Sequence, residues 1–148
     1  MPFHQMLIIF VLVLIAMVAF AYSEAVLEGE EGWARDKKCW RFRYHKNYDY
    51  TSYHVITYYI LFPILIILLP IAVAGFSFQL LWLLLSAYLI GSILEDFMWF
   101  VFNPVRSFAS WNPKDTTWYP WIKIGKFATP LSYFVKFLLG LAILIFLV

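Results

Sequence analysis

The sequence SILEDFMWFVFNP, residues 92–104, places two adjacent carboxyl groups, Glu95 and Asp96, inside an apolar run that begins near Phe76. A charged side chain at the centre of a membrane helix costs about 2.5 to 3.5 kcal/mol even on a lenient insertion scale. The run ends at Asn103-Pro104, because a residue that precedes a proline is disfavoured in the helical conformation. The rest of the chain must therefore supply the groups that offset the cost of this carboxyl pair.

The composition is that of an integral membrane protein. Of the 148 residues, 64% are hydrophobic and 14% are charged, and the mean hydropathy is +0.77. Soluble domains average about 45 to 50% apolar and about 25% charged residues. The net charge is only +2 and bases are interleaved with acids, so we expect no nucleic-acid partner. The single cysteine, Cys39, excludes an internal disulfide and a multi-cysteine metal site.

Four apolar runs predict an all-α membrane bundle of four transmembrane helices in a single domain, 1–148. The predicted helices cover residues 6–22, 55–74, 78–102 and 131–148. The first run also has the small-x-small ending of a secretory signal, but the residues before it contain no Lys or Arg, so we expect a retained helix. Pro63 and Pro70 interrupt the second run, as membrane helices tolerate where neighbours satisfy the freed backbone groups.

The two long connections, 23–53 and 103–129, are rich in aromatic and charged residues. This composition is typical of segments at the headgroup level, so we expect two interfacial connections, the first as a loop or short surface helix. All of the eleven Lys and Arg residues except Lys136 lie in these connections. The positive-inside rule then predicts a multi-pass protein of the cell membrane, with both connections in the cytoplasm and both termini outside.

The third predicted helix carries a polar stripe, because positions three and four apart share one face. Arg106, beyond the end of the helix, and Lys136, in the fourth helix, are candidate partners for its carboxyls. Two interpretations are open: a structural lock between helices, or a proton or cation relay. The lock is favoured, because one carboxylate pair without further intramembrane acids or histidines makes a poor pathway. The members of the stripe are Tyr88, Ser92, Glu95, Asp96, Trp99 and Asn103.

A second, weaker constellation contains residue types that bind metals. His45 and Asp49 are four residues apart and His54 follows five residues later, so a site with two histidines and one carboxylate is conceivable. Six tyrosines lie between residues 44 and 59, however, and an interfacial aromatic belt explains the same region. The sequence shows no phosphate-binding loop, nucleophile elbow or zincin motif, and we expect no cofactor.

The last 60 or so residues resemble a group of known membrane proteins. EDFMWFVFNP at 95–104, followed after a Trp-rich connection by KFATPL at 126–131, resembles a group of small archaeal and bacterial membrane proteins with a Glu-Asp-x-x-Trp-Phe-x-x-Asn-Pro signature. The size and aromatic content of the chain are also similar to those of accessory subunits of archaeal ammonia monooxygenase, a copper membrane enzyme. That family binds its metal in larger subunits, so the resemblance implies a supporting role and no ligand in this chain.

Few catalytic groups and many contact-forming ones predict a non-catalytic accessory subunit of a multi-subunit membrane enzyme complex. The resemblance implies that this complex is of the copper monooxygenase class. Its partners would be other integral membrane subunits and membrane lipids. The alternative is a small proton- or cation-coupled transporter or channel that uses Glu95 and Asp96.

Overall fold

The computed structural model describes residues 1–28, 38–45, 48–125 and 127–148, with the backbone alone described at 44, 45, 48, 49 and 124. Within these ranges the chain is mostly helical, with four helices and two short strand pairs. Their bounds in chain order are α1 Phe3–Glu28, β1 Arg41–His45, β2 Tyr48–Thr51, α2 Ser52–Ala74, α3 Phe78–Phe102, β3 Trp121–Ile124, β4 Phe127–Pro130 and α4 Leu131–Phe146.

Helix α1 extends six residues beyond its predicted end at Tyr22, as far as Glu28. The charged residues of the last two turns do not end the helix, because they fall on its buried face. The residues on that face are three or four positions apart, or adjacent to one that is: Met17, Ala21, Glu24, Ala25 and Glu28. Ala21 and Ala25 are fully buried, so small side chains bring α1 close to its neighbours.

Helix α2 begins at the N-cap Thr51, whose side chain accepts a hydrogen bond from the His54 backbone N–H. Two stretches of α2, Thr57–Leu61 and Pro63–Leu68, have the wider turns of a π-helix. Pro63 lacks an N–H and would clash with the carbonyl of the preceding turn in a regular α-helix, and the wider turns relieve this conflict.

Helix α3 agrees with the predicted span of 78–102. Ser77 Oγ accepts from the Leu80 N–H at its start. Asn103 Oδ1 accepts from the backbone N–H groups of Val105 and Arg106 after its end. Both ends are therefore fixed by local capping groups, which is why the sequence alone located them.

Three helices of the described chain are long and apolar enough to cross a membrane: α1 with 26 residues, α2 with 23 and α3 with 25. Helix α4 has 16 residues and ends at Phe146, two residues before its predicted end. It belongs to the shorter apolar helices.

The connections contain two short strand pairs, which differ from the expected loop or surface helix of the first connection, although the chain is mostly helical as predicted. Strands β1 and β2 pair antiparallel, and so do β3 and β4 around Gly125, whose φ is +62°. Aromatic residues alternate with bases along β1, and aromatic side chains favour extended backbone as strongly as they favour a membrane interface. Composition alone did not separate the two outcomes.

The two ends of the bundle differ in the residues that pack there. At one end, Gln79 accepts a hydrogen bond from the Met1 amino group and donates to the Val148 carbonyl oxygen at 3.2 Å. Both termini therefore lie beside the start of α3, next to an apolar cluster around Ile67, Leu80 and Leu84. At the opposite end an aromatic cluster joins α1, the end of α3 and the second connection through Ala25, Trp99, Phe100, Trp118 and Tyr119.

Candidate functional site

A cavity of about 400 Å³ lies toward the aromatic end of the bundle, bounded by all four helices and by Trp118 and Tyr119 of the second connection. This volume is within the range of about 300 to 1,000 Å³ that is usual for small-ligand sites. Six ionisable side chains other than tyrosine line it: Glu24, Glu28, His54, Glu95, Asp96 and Lys136. The adjacent carboxyl pair of α3 therefore lies beside two further glutamates and a histidine.

Glu95 is one of the most deeply buried residues that line this cavity. Its side chain is 1% exposed, and its Oε1 atom has no hydrogen-bond partner. The carboxyl group of Glu24, on α1, and the hydroxyl of Tyr58 are close enough to Glu95 to act on its carboxyl group. Glu24 is 4% exposed, and its own Oε1 is also without a partner, while its Oε2 accepts from the Tyr58 hydroxyl at 3.0 Å. Two carboxylates are both acceptors, so this approach is stable only when a proton or another cation lies between them.

Asp96 has a different environment from that of its neighbour. The Tyr119 hydroxyl donates to Asp96 Oδ1 at 2.5 Å, and the positive charge of Lys136 acts on the same carboxyl. Burial, and then the charge of Asp96, raise the pKa of Tyr119, so this hydroxyl stays protonated and remains a donor. Asp96 thus joins α3 to the second connection and to α4, as a structural lock would.

His54 and the two glutamates of α1 form a compact group beside Glu95. Each offers one ligand atom, and these atoms all lie within 4.8 Å of one another. His54 Nε2 is 3.8 Å from Glu28 Oε1. On the other side of the ring, His54 Nδ1 is 2.8 Å from Oγ1 of Thr51, which is fully buried. In the tautomer in which Nδ1–H donates to Thr51, Nε2 presents its lone pair to the carboxyl groups.

The predicted polar stripe is divided between two places. Tyr88, Ser92 and Trp99 line the cavity with the carboxyl pair and Lys136. The Tyr88 hydroxyl donates to the Tyr58 carbonyl oxygen at 2.5 Å, and Ser92 Oγ donates to the carbonyl oxygen of Leu89.

The last member of the stripe, Asn103, and the candidate partner Arg106 are not among the residues that line the cavity. Asn103 caps the end of α3. The Arg106 guanidinium lies 4.6 Å from the centre of the Trp118 ring, and its Nη2 donates to the Asp115 carbonyl oxygen at 2.8 Å.

Of the three predicted metal candidates, His54 is in the cavity. The side chains of His45 and Asp49 lie outside the described part of the structure. The site residues predicted from the sequence do not include Glu24, Glu28 or Thr51. The spacing of four between the two glutamates was a usable signal, because it puts both on one face of a helix that continues through them.

The chain matches no family model, no curated protein and no solved structure.

Proposed function

We propose that this chain is a small cation transporter of the membrane, with Glu95 and Glu24 as the groups that bind the cation. The observation that carries the proposal is the pair of facing, buried carboxyl groups whose Oε1 atoms accept no hydrogen bond. Among the described residues no Lys or Arg forms an ion pair with either group. A mobile cation supplies the positive charge that the protein does not.

The shape of the bundle favours a transporter whose site opens to one side of the membrane at a time over a channel that is open to both sides. The cavity lies at the aromatic end, while the half that holds both termini is closed by the apolar cluster of Ile67, Leu80 and Leu84. Between the two, Gly91 of α3 packs directly against Met17 of α1. A cation bound at Glu95 would reach the far side only if these helices separated.

Helix α2 is the element best suited to move. It packs against α3 mainly around Ile67, and most of its large apolar side chains are exposed on the outer face. Its π-helical turns around Pro63 interrupt the regular hydrogen-bond ladder beside the cavity, and such turns recur at functional sites. Tyr58, which holds Glu24, lies in the first of these stretches.

Flux across liposomes tests the proposal. We expect protein reconstituted in liposomes to take up at least one cation from a panel of Na⁺, K⁺, H⁺, Mn²⁺ and Zn²⁺ under an imposed gradient. Glu95→Gln and Glu24→Gln keep the shape of the side chains but remove the charge, so both variants should lose this flux. Asp96→Asn is the matched control, because Asp96 already accepts a hydrogen bond from Tyr119 and the charge of Lys136 acts on it, and the flux of this variant should stay close to that of the unchanged protein.

Flux that is absent for every cation, or equal in the unchanged protein and in Glu95→Gln, would contradict the transporter function. A loss in Asp96→Asn as large as that in Glu95→Gln would contradict the assignment of the cation to the Glu24–Glu95 pair.

The proposal includes four spans, with α4 as the fourth. At 1.5 Å per residue, its 16 residues cover about 24 Å, and the two residues after it add to this length. The hydrocarbon core is about 30 Å thick, so a short last helix requires local thinning of the bilayer. In this proposal the end of the bundle that holds the cavity faces the cytoplasm, in keeping with the charge count of the connections.

An accessory subunit of a larger membrane enzyme complex, including one of the copper monooxygenase class, is the second candidate function. The observation that favours it is the aromatic surface of the first hairpin, where Trp40 and Phe42 are each more than half exposed. Exposed aromatic side chains are common at protein interfaces. Purification from native membranes in mild detergent should then yield a stable partner subunit, and a protein that runs alone would exclude this candidate.

A further inference from the structure

We infer that the cavity binds a divalent first-row transition-metal ion, with Glu24, Glu28 and His54 as its ligands. This inference rests on the proposed function, because it names the chemical class of the cation that the site accepts. The three residues come from the last two turns of α1 and the first turn of α2, so the ion would join these two helices.

The geometry is close to that of a bound site. The three ligand atoms lie within 4.8 Å of one another. Bonds from Zn²⁺ to His nitrogen and to carboxylate oxygen are about 2.0 to 2.2 Å long, so the ligand atoms of a tetrahedral site are about 3.3 to 3.6 Å apart. Small side-chain rotations are enough to close the group on an ion.

A second observation points to the same ligand. Glu24 is 4% exposed, and its Oε1 accepts no hydrogen bond, although Tyr58 donates to its Oε2. Oε1 of Glu95, on α3, also accepts no hydrogen bond, and Glu95 is 1% exposed. A carboxylate oxygen left without a partner in the interior is costly, and direct coordination of a cation satisfies it. Glu95 lines the same cavity from α3 but lies outside the three-residue ligand group.

The groups behind the ligands are those that metal sites require. A histidine that binds a metal usually donates its other ring N–H to a nearby acceptor, which fixes the orientation of the ring. Thr51 Oγ1 is that acceptor here, 2.8 Å from His54 Nδ1. The Tyr58 hydroxyl also orients the Glu24 carboxyl, because it donates to Glu24 Oε2 at 3.0 Å.

The donor types select the class of ion. Imidazole nitrogen together with carboxylate oxygen suits Zn²⁺, Mn²⁺ and Fe²⁺, whereas Mg²⁺ and Ca²⁺ prefer oxygen alone and Cu⁺ prefers sulfur. Neither a cysteine nor a methionine belongs to the described group.

Equilibrium binding of Zn²⁺, Mn²⁺ and Mg²⁺ tests the inference. The full chain would be purified without a polyhistidine tag, stripped with a chelator and titrated with each ion alone, with bound metal measured by elemental analysis. We expect one Zn²⁺ or Mn²⁺ per chain, with weaker binding of Mg²⁺. Glu24→Gln and His54→Gln should each lower the affinity by at least about 100-fold, beyond the 10- to 100-fold that loss of a supporting group costs.

Two controls separate coordination from general charge or folding. Asp96→Asn removes a carboxyl from the same cavity and His4→Gln removes an exposed histidine, and both should bind as the unchanged protein does. Thr51→Val should weaken binding about 10- to 100-fold, and Thr51→Ser, which keeps the hydroxyl, should restore it.

Binding of none of these ions, or binding that Glu24→Gln and His54→Gln leave unchanged, overturns the inference. If the liposomes then still carry another cation in a manner that depends on Glu95, the transporter function stands without the metal. If the metal binds as expected but no cation is carried, the metal site stands and the transporter function fails.

Discussion

At the scale of single residues, Glu95 and Asp96 are neighbours in sequence with opposite surroundings. Successive residues of a helix point about 100° apart. Glu95 therefore lies toward α1 and the Glu24 carboxyl, while Asp96 accepts from the Tyr119 hydroxyl and is acted on by the positive charge of Lys136. Asp96 is stabilised by its partners. Burial of the Glu95 carboxyl costs free energy that a bound cation would have to offset.

This difference predicts opposite effects on stability. Tyr119→Phe removes the donor to Asp96 and should lower the free energy of unfolding by about 1.5 to 3 kcal/mol, as for hydrogen bonds to charged groups. Glu95→Gln removes a buried charge that lies close to the Glu24 carboxyl and should raise the free energy of unfolding by about 1 to 3 kcal/mol. Thermal unfolding in detergent without added metal measures both. A loss of stability in Glu95→Gln equal to that in Tyr119→Phe would mean that Glu95 is a lock as well.

The sequence alone identified the carboxyl pair, because charge within an apolar run is visible without a structure. It did not identify the partners. Glu24 and Glu28 follow the first apolar run and were assigned to the connection, although α1 continues through them with both on its buried face. The approach of Glu24 to Glu95 depends on how two helices pack, and no local pattern encodes that distance.

At the scale of elements, α3 and α4 meet at a close approach. A methyl group at Gly140 would lie 2.8 Å from Ile90 Cγ1 and 3.4 Å from the Ser86 carbonyl oxygen. The Ser86 hydroxyl also donates to the Gly140 carbonyl oxygen at 2.8 Å. The packing of α4 therefore depends on the absence of a side chain at this position.

Gly140→Ala should destabilise the protein by about 1 to 3 kcal/mol, as overpacking in a tight interface does. Ala142→Val enlarges an exposed residue of the same helix and is the control. Thermal unfolding of both variants in the same detergent provides the comparison. Equal unfolding temperatures for the two would show that α4 does not pack on α3 through Gly140.

The irregular turns of α2 lead to a kinetic prediction. Pro63→Ala restores an N–H to the π-helical region and should allow a more regular helix. If α2 moves during transport, the flux should fall by about tenfold. Equilibrium cation binding does not require this motion and should stay nearly constant. Pro70→Ala, in the regular last part of α2, is the control. Unchanged flux in Pro63→Ala would remove α2 as the moving element.

Prediction of the elements succeeded where local signals mark their ends. The bounds of α3 follow from Ser77 and from Asn103-Pro104, which cap and stop it. The two hairpins were missed, because the aromatic and basic residues of the connections are equally compatible with an interfacial helix and with a strand.

At the scale of the whole molecule, the proposed topology has a direct test in the sole cysteine. Cys39 lies in the first connection, and Ser107→Cys in a Cys39→Ser background reports on the second. A membrane-impermeant maleimide added to intact cells should label neither thiol, and both should react after lysis. Phe76→Cys, in the exposed turn between α2 and α3, should react in intact cells. Labelling of the two connections from different sides of the membrane would exclude the four-span arrangement.

The central claim is that a cation enters the buried site between Glu24 and Glu95. Charge displacement in reconstituted protein on a solid-supported membrane measures this step directly, because a cation that moves into the bundle produces a transient current. The account predicts a saturable current on a concentration jump of at least one cation, abolished in the Glu24→Gln/Glu95→Gln double variant and retained in Asp96→Asn. A current that is absent for every cation, or identical in the double variant, would contradict it.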